Sequence, residues 1–209
     1  MEKEALVFVN GIPVEPSVWS DLLQNDPLLV AADGGANGLK YFGIMPHLVI
    51  GDMDSLENAE ELEAAGVLLI RKPEQDNTDL EKALDFLIEQ EFYRVTVLGA
   101  TGIRSDHTLA NFSILLKYHS RMSIRIRDAY SDISVVSGEC VFSADRGTLV
   151  SLIPMERCSG VTTEGLQWPL RGERLAPGVR ESISNCVVSS PVKITVEEGT
   201  CLLFVGHNR

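Results

Sequence analysis

Carboxylates recur at four places in the first half of this chain, and each place follows a short apolar run. Asp33 heads Asp33-Gly34-Gly35-Ala36-Asn37-Gly38 after residues 28–32, and Asp52 and Asp54 flank Met53 in Gly51-Asp52-Met53-Asp54-Ser55 after residues 48–50. Asp76 and Asp79 close Lys72-Pro73-Glu74-Gln75-Asp76-Asn77-Thr78-Asp79 after residues 67–70. Asp106 follows Gly99-Ala100-Thr101-Gly102-Ile103-Arg104-Ser105, just beyond residues 95–98. Short continuous apolar runs read as strands buried on both faces of a parallel sheet, and such sheets bind ligands beyond the carboxyl ends of their strands. The acids therefore converge on one rim. Like charges held that closely repel, and a bound cation relieves them. Oxygen donors without His or Cys suit Mg²⁺. Asp52 and Asp54 are two apart, so an extended backbone turns both to the same side.

The glycines of the same loops point to phosphate. Asp33–Gly38 and Gly99–Gly102 carry small residues that let backbone amides approach an anion, and each precedes a helix start. Neither is a P-loop or a dinucleotide fingerprint. Arg104 has the fork geometry for phosphate oxygens. His107 reads as a helix-start hydrogen-bonding residue, and His47, His119 and His207 carry no chemical pattern. No Ser–His or Cys–His pairing is evident, and phosphoryl transfer to a hydroxyl needs none, because positioning and electrostatics do most of the work.

The elements that must position these groups are legible from periodicity. Residues 78–90 place Leu80, Ala83, Leu84, Leu87 and Ile88 on one helical stripe, and Thr78 with Glu81 forms a capping box. Ser55, followed by Glu57, Glu60 and Glu61, is expected to open a second helix, and residues 105–119 a third. Residues 6–9 supply a further strand, so strand and helix alternate as in an α/β unit. After about residue 122 the pattern changes to period two at Ser123-Ile124-Arg125-Ile126-Arg127-Asp128, then to apolar runs separated by Gly, Pro, Ser and Asn. That half reads as antiparallel β, a small sandwich. The expected architecture is an α/β N-terminal domain with a mainly parallel sheet over residues 1–130, followed by an all-β sandwich domain over 131–209.

A net charge of −12 argues against non-specific nucleic-acid binding. The 44% hydrophobic and 23% charged fractions exclude wholesale disorder. No apolar run approaches the roughly 20 residues of a membrane span. The acidic N-terminus does not read as a secretory signal. Cys140, Cys158, Cys186 and Cys201 stand far apart, without metal-ligand spacing, and read as reduced thiols of a cytoplasmic protein.

Taken in order, Asp33–Asn37, Gly51–Ser55, Gln75–Asp79 and Gly102–His107 form a motif series that continues into the β half. There it meets Thr162-Thr163-Glu164-Gly165-Leu166-Gln167-Trp168-Pro169-Leu170 and Ser182-Ile183-Ser184-Asn185. The series resembles the thiamine pyrophosphokinase family across nearly the whole chain. The resemblance implies transfer of the β,γ-pyrophosphoryl unit of ATP to the hydroxyethyl oxygen of thiamine, giving thiamine diphosphate and AMP. It also implies Mg²⁺, and a homodimer with active sites between subunits. Asp52, Asp54 and Asp79 correspond to the metal-binding and catalytic carboxylates. Asp33, Gly34, Gly35, Asn37, Arg104 and Asp106 correspond to the nucleotide side, and Gln75, Trp168, Ser182 and Asn185 to the thiamine side. Trp168 suits a positively charged thiazolium or a flat aminopyrimidine. Two other classes fit the residues read alone. One is a Mg²⁺-dependent phosphohydrolase with Asp52 as nucleophile, from the strand–DxD pattern; the other is a non-catalytic nucleotide or thiamine-binding module.

Overall fold

The computed structural model describes residues 3–207. The chain divides into two units, one ending at Ala129 and the next beginning at Tyr130.

The first unit is built on six parallel strands: β1 (Glu4–Phe8), β2 (Leu28–Ala32), β3 (Leu48–Gly51), β4 (Leu68–Arg71), β5 (Arg94–Leu98) and β6 (Ser123–Arg127), in the order β6-β5-β1-β2-β3-β4. The helices are α1 (Pro16–Trp19), which runs into a 3-10 turn over Ser20–Asn25, then α2 (Gly35–Tyr41), α3 (Ala59–Ala64), α4 (Asp79–Glu89) and α5 (Ser105–Tyr118). Strand alternation divides the sheet's side chains. Leu6, Phe8, Leu29, Ala31 and Val49 share one core with Leu39 of α2 and Leu62 of α3. Val7, Val30 and Ile50 point the other way, and α4 packs on β2 and β3 with Ala83, Leu84 and Leu87 fully buried. Each of the two leucines contributes about 1.5–3 kcal/mol through burial. Trp19 closes one end, edge-on to Phe8 with ring centroids 5.1 Å apart, its indole N–H donating to the Val14 carbonyl at 3.0 Å.

Three local expectations are corrected. Ser55 does not open a helix: α3 begins at Ala59 behind Asn58, which is left-handed at φ 63°. The amides of Ser55 and Glu57, which a helix start would leave open, are taken by the side chains of Asp33 and Asn37. β4 is an end strand rather than a doubly buried one, and Leu68 is exposed. β6, whose period two read as the start of the antiparallel half, pairs parallel to β5. Its alternation has a different origin, because Arg125 donates to Thr96 Oγ1 and Arg127 pairs with Asp21.

The second unit contains β7 (Ser131–Phe142), β8 (Leu149–Pro154), β9 (Cys158–Glu164), β10 (Glu173–Leu175), β11 (Ser182–Cys186) and β12 (Val192–Gly206). β12 serves both layers. Its first half pairs with β9 and its second with β8, while β7 runs antiparallel to both halves. The ladder is interrupted between Val196 and Cys201, where Gly199 has φ 89°, a value that favours glycine. Val136, Leu152, Val161, Leu175, Ile194 and Leu203 fill the space between the layers.

Candidate active site

At the carboxyl ends of β1, β2, β3 and β5, an open cleft of about 800 Å³ gathers most of the acids and phosphate-loop residues singled out above. Asp33, Gly34, Asp52, Asp54, Gln75, Asp79, Arg104 and Asp106 all line it. Gly35 and Asn37 do not; both work underneath. A Cβ on Gly35 would lie 2.0 Å from the Phe8 carbonyl oxygen, so glycine lets α2 abut β1. Asn37 donates to the Ser55 carbonyl at 2.9 Å and accepts from the Glu57 amide at 3.0 Å, tying α2 to the Asp52–Asp54 loop.

The carboxylates are unequal. Asp33 is only 3% exposed, and burial pushes its carboxyl above the usual range, with the charges of Asp79 and Asp54 acting in the same direction. Its Oδ2 accepts the Ser55 amide at 3.0 Å, while the buried Oδ1 has no hydrogen-bond partner. Asp52 is held below the ordinary range, chiefly because Gln75 donates to its Oδ2 at 2.9 Å, and the Asp54 amide donates to its Oδ1 at 3.1 Å. Ligand oxygens of Asp33, Asp52 and Asp54 lie within 4.8 Å of one another. A donor set of carboxylate oxygens with one orphaned, buried oxygen fits a hard cation such as Mg²⁺.

Asp79 stands beside this trio at the first turn of α4, placed by the Thr78–Glu81 capping box. Its Oδ1 accepts from Lys82 Nζ at 2.9 Å, and Lys82 is itself buried. Gly51 makes room for the approach: a Cβ there would meet Asp33 Cβ at 2.8 Å and Asp79 Oδ1 at 3.1 Å. On the opposite wall Arg104 grips Asp106 through two bonds, Nε at 3.1 Å and Nη2 at 2.5 Å, which brings the Asp106 carboxyl down to about 2.

Reading the sequence did not single out Lys82, Asn10, Gly11 or Asn111, all of which line the cleft. Lys82 had a signal, since a lysine three residues after Asp79 falls on the same helical face. Asn10 and Gly11 follow β1, the remaining strand whose carboxyl end reaches the rim. Asn111 donates to the Ala100 carbonyl at 2.8 Å and steadies the glycine loop; only the folded α5 reveals that.

In the β unit, Trp168 is 60% exposed, while Asn185 is buried beneath its backbone. Asn185 Nδ2 donates to the Trp168 carbonyl at 2.7 Å, and Oδ1 accepts the Trp168 amide at 3.1 Å. Ser182 is partly buried and pairs with Leu152 across the β11–β8 ladder. A smaller cavity of about 340 Å³ lies beside Ile183 and Ser184, with Tyr130, Leu149 and Phe204 on its walls.

A family model described as thiamin pyrophosphokinase, catalytic domain, matches residues 19–126, and one described as thiamin pyrophosphokinase, vitamin B1 binding domain, matches residues 139–201. The thiamine pyrophosphokinase of Bacillus subtilis (strain 168) is 30% identical over 184 residues, covering 85% of this chain and 86% of that protein. The chain belongs to the thiamine pyrophosphokinase family. Solved family structures share the fold. The crystal structure of thiamine pyrophosphokinase from Bacillus subtilis aligns with a TM-score of 0.85 at 26% identity, covering 99% of this chain and 100% of that one. That of thiamin pyrophosphokinase from Geobacillus thermodenitrificans gives 0.83 at 28% identity, covering 98% of each. A thiamine pyrophosphokinase is a kinase-type transferase, so membership supports that reading over the phosphohydrolase and binding-module ones.

Proposed function

We propose that the carboxylate cleft is where the β,γ-pyrophosphoryl unit of ATP passes to the hydroxyl of thiamine, giving thiamine diphosphate and AMP. The transferase activity is that of the family, and the orphaned, buried Oδ1 of Asp33 beside Asp52 and Asp54 carries the assignment of this site. Asp52 and Asp54, with Asp33 and Asp79 next to them, would hold Mg²⁺, which neutralises charge on the phosphate oxygens when bound. Gln75 holds Asp52 in its orientation. The Gly34 backbone, which lines the cleft, and the Arg104 fork receive phosphate oxygens. Asp106 keeps that fork in place before ATP arrives. Gln75, Trp168 and Ser182 face thiamine, with the indole face against the cationic thiazolium or the aminopyrimidine, and Asn185 belongs to this side through its bonds to the Trp168 backbone.

The functional unit in this reading is a homodimer with active sites between subunits, in the cytoplasm. Exposed Tyr130, Leu149 and Ile183 of the β unit offer apolar surface to a second copy, and the free thiols Cys140, Cys158, Cys186 and Cys201 suit a reducing compartment. Among the described residues, no helix is long and apolar enough to cross a membrane.

Incubation with ATP, Mg²⁺ and thiamine, followed by separation of nucleotides, tests the bond that breaks. Attack on the β-phosphorus releases AMP and thiamine diphosphate in equal amounts. ADP with thiamine monophosphate would refute the assignment.

A further inference from the structure

The loop that carries Trp168 is fixed more firmly than an exposed tip requires. At its base Thr163 and Leu170 exchange two bonds. The Thr163 amide donates to the Leu170 carbonyl at 3.0 Å, and Thr163 Oγ1 accepts the Leu170 amide at 2.9 Å. At its tip, Asn185 bonds both the amide and the carbonyl of Trp168. Asn185 Oδ1 also accepts the Cys186 amide at 2.9 Å, and the Gln167 amide donates to the Cys186 carbonyl at 2.8 Å. Thr163 and Asn185 are each 3% exposed.

Buried amide and hydroxyl groups are tolerated only when hydrogen-bonded, and both are. Their partners are the unusual part. The Asn185 amide is directed at the backbone of Trp168, whose own side chain contributes little burial. Water could serve those two backbone groups on a surface loop at little loss of stability. A prearranged backbone matters, however, when the indole must meet a flat or cationic ligand. Ordering a loop at the moment of binding subtracts from affinity, and a loop already ordered avoids that loss.

We propose that Asn185, assisted by Thr163, is a positioning residue for thiamine recognition: it acts through the backbone of Trp168 and does not touch the ligand. This deepens the reading of Trp168 as the thiamine contact and rests on it.

The test compares Asn185→Ala, Trp168→Ala and the double variant, with Thr163→Val as a second, nearly isosteric way to loosen the loop. The tryptophans are Trp19, which is 1% exposed, and Trp168 at 60%, so acrylamide quenching and anisotropy separate the loop signal from the core. Asn185→Ala and Thr163→Val are expected to make the Trp168 signal more mobile. Both should raise the KM for thiamine, about tenfold for Asn185→Ala, while kcat and the KM for ATP stay within about twofold. If Asn185 acts only through Trp168, the double variant is no worse than Trp168→Ala alone. Additive losses in the double variant would place Asn185 on the ligand itself and overturn the proposal. Unchanged fluorescence in both loosened variants would overturn it as well. If instead Trp168→Ala leaves the thiamine KM unchanged, the reading of Trp168 fails, separately from any loosening that the fluorescence records.

Discussion

Asp33, Asp52, Asp54 and Asp79 share residue type and neighbourhood, yet folding gives each a different condition. Asp54 is exposed and bonded through Oδ1 to the Ser55 hydroxyl at 2.9 Å, so its charge is available to a cation. Asp54→Asn should abolish turnover and leave the fold intact, with a melting temperature equal to or slightly above that of the parent. Near-normal turnover of the folded variant at saturating Mg²⁺ would remove Asp54 from the machinery. Asp33 gives a pH-dependent expectation. Its carboxyl is raised above 3.8 by burial, so folding favours the protonated form, and ionisation subtracts stability as pH rises through the raised value. Asp33→Asn should therefore melt higher than the parent at pH about 7, and the difference should vanish in acid below the unfolded carboxylate range. Added Mg²⁺ should narrow the gap at neutral pH by stabilising the parent more than the variant. Thermal melts across pH, with and without Mg²⁺, measure all three points. Arg104→Ala removes charge-assisted bonds of about 1.5–3 kcal/mol each, so the KM for ATP should rise by about ten- to a hundredfold. An unchanged KM for ATP would leave Arg104 as a partner of Asp106 only.

The elements hold these side chains through close backbone approach and capping. α2 lies so near β1 that Gly35 has no space for a Cβ. Gly35→Ala must displace the start of α2, and with it Gly34 and the Asn37 side chain that ties down the Asp52–Asp54 loop. Overpacking of this kind costs about 1–3 kcal/mol. Urea denaturation should show that loss, and activity should fall further than the fraction unfolded explains. Thr78 acts at the other edge of the cleft. Its hydroxyl accepts the Glu81 amide at 3.3 Å while Glu81 reaches back to the Thr78 amide at 2.9 Å. Thr78→Ala should cost about 1 kcal/mol of stability by equilibrium denaturation, because the first turn of α4 loses its cap. Asp79 heads that turn, so the kcat of this variant reports how much the Asp79 placement depends on it.

For the whole molecule, the proposed homodimer has a quantitative signature. If each active site takes its carboxylates from one subunit and its tryptophan from the other, the defects of Asp54→Asn and Trp168→Ala complement. A mixed dimer then contains one site with both lesions and one with neither. Random exchange makes half of the dimers mixed, so about a quarter of wild-type activity should return after co-refolding. AMP release at low thiamine measures it. No recovery, with mixed dimers confirmed by mass, would mean that both residues serve a site within one subunit.

Much of this protein is determined by linear sequence, for reasons that act over short range. Hydrophobic period and capping chemistry mark β2, β3, α4 and α5 nearly to the residue, since apolar stripes and the Thr78–Glu81 box act within a few positions. The convergence of Asp33, Asp52, Asp54, Asp79 and Asp106 was legible too, because parallel connectivity brings the carboxyl ends of strands to one rim. Other features depend on distant partners. Only the fold removes Ser55 from a helix start, since Asp33 and Asn37 lie about twenty residues away and take the amides of Ser55 and Glu57. Only the fold assigns β6 to the parallel sheet, because period two describes a half-buried strand whatever the direction of its neighbour. The division of labour among the aspartates has the same cause. The Lys82 contact to Asp79 is local to α4, three residues apart, but the burial of Asp33 arises from elements packed in three dimensions, and its charge state answers to that packing and not to its neighbours in the chain.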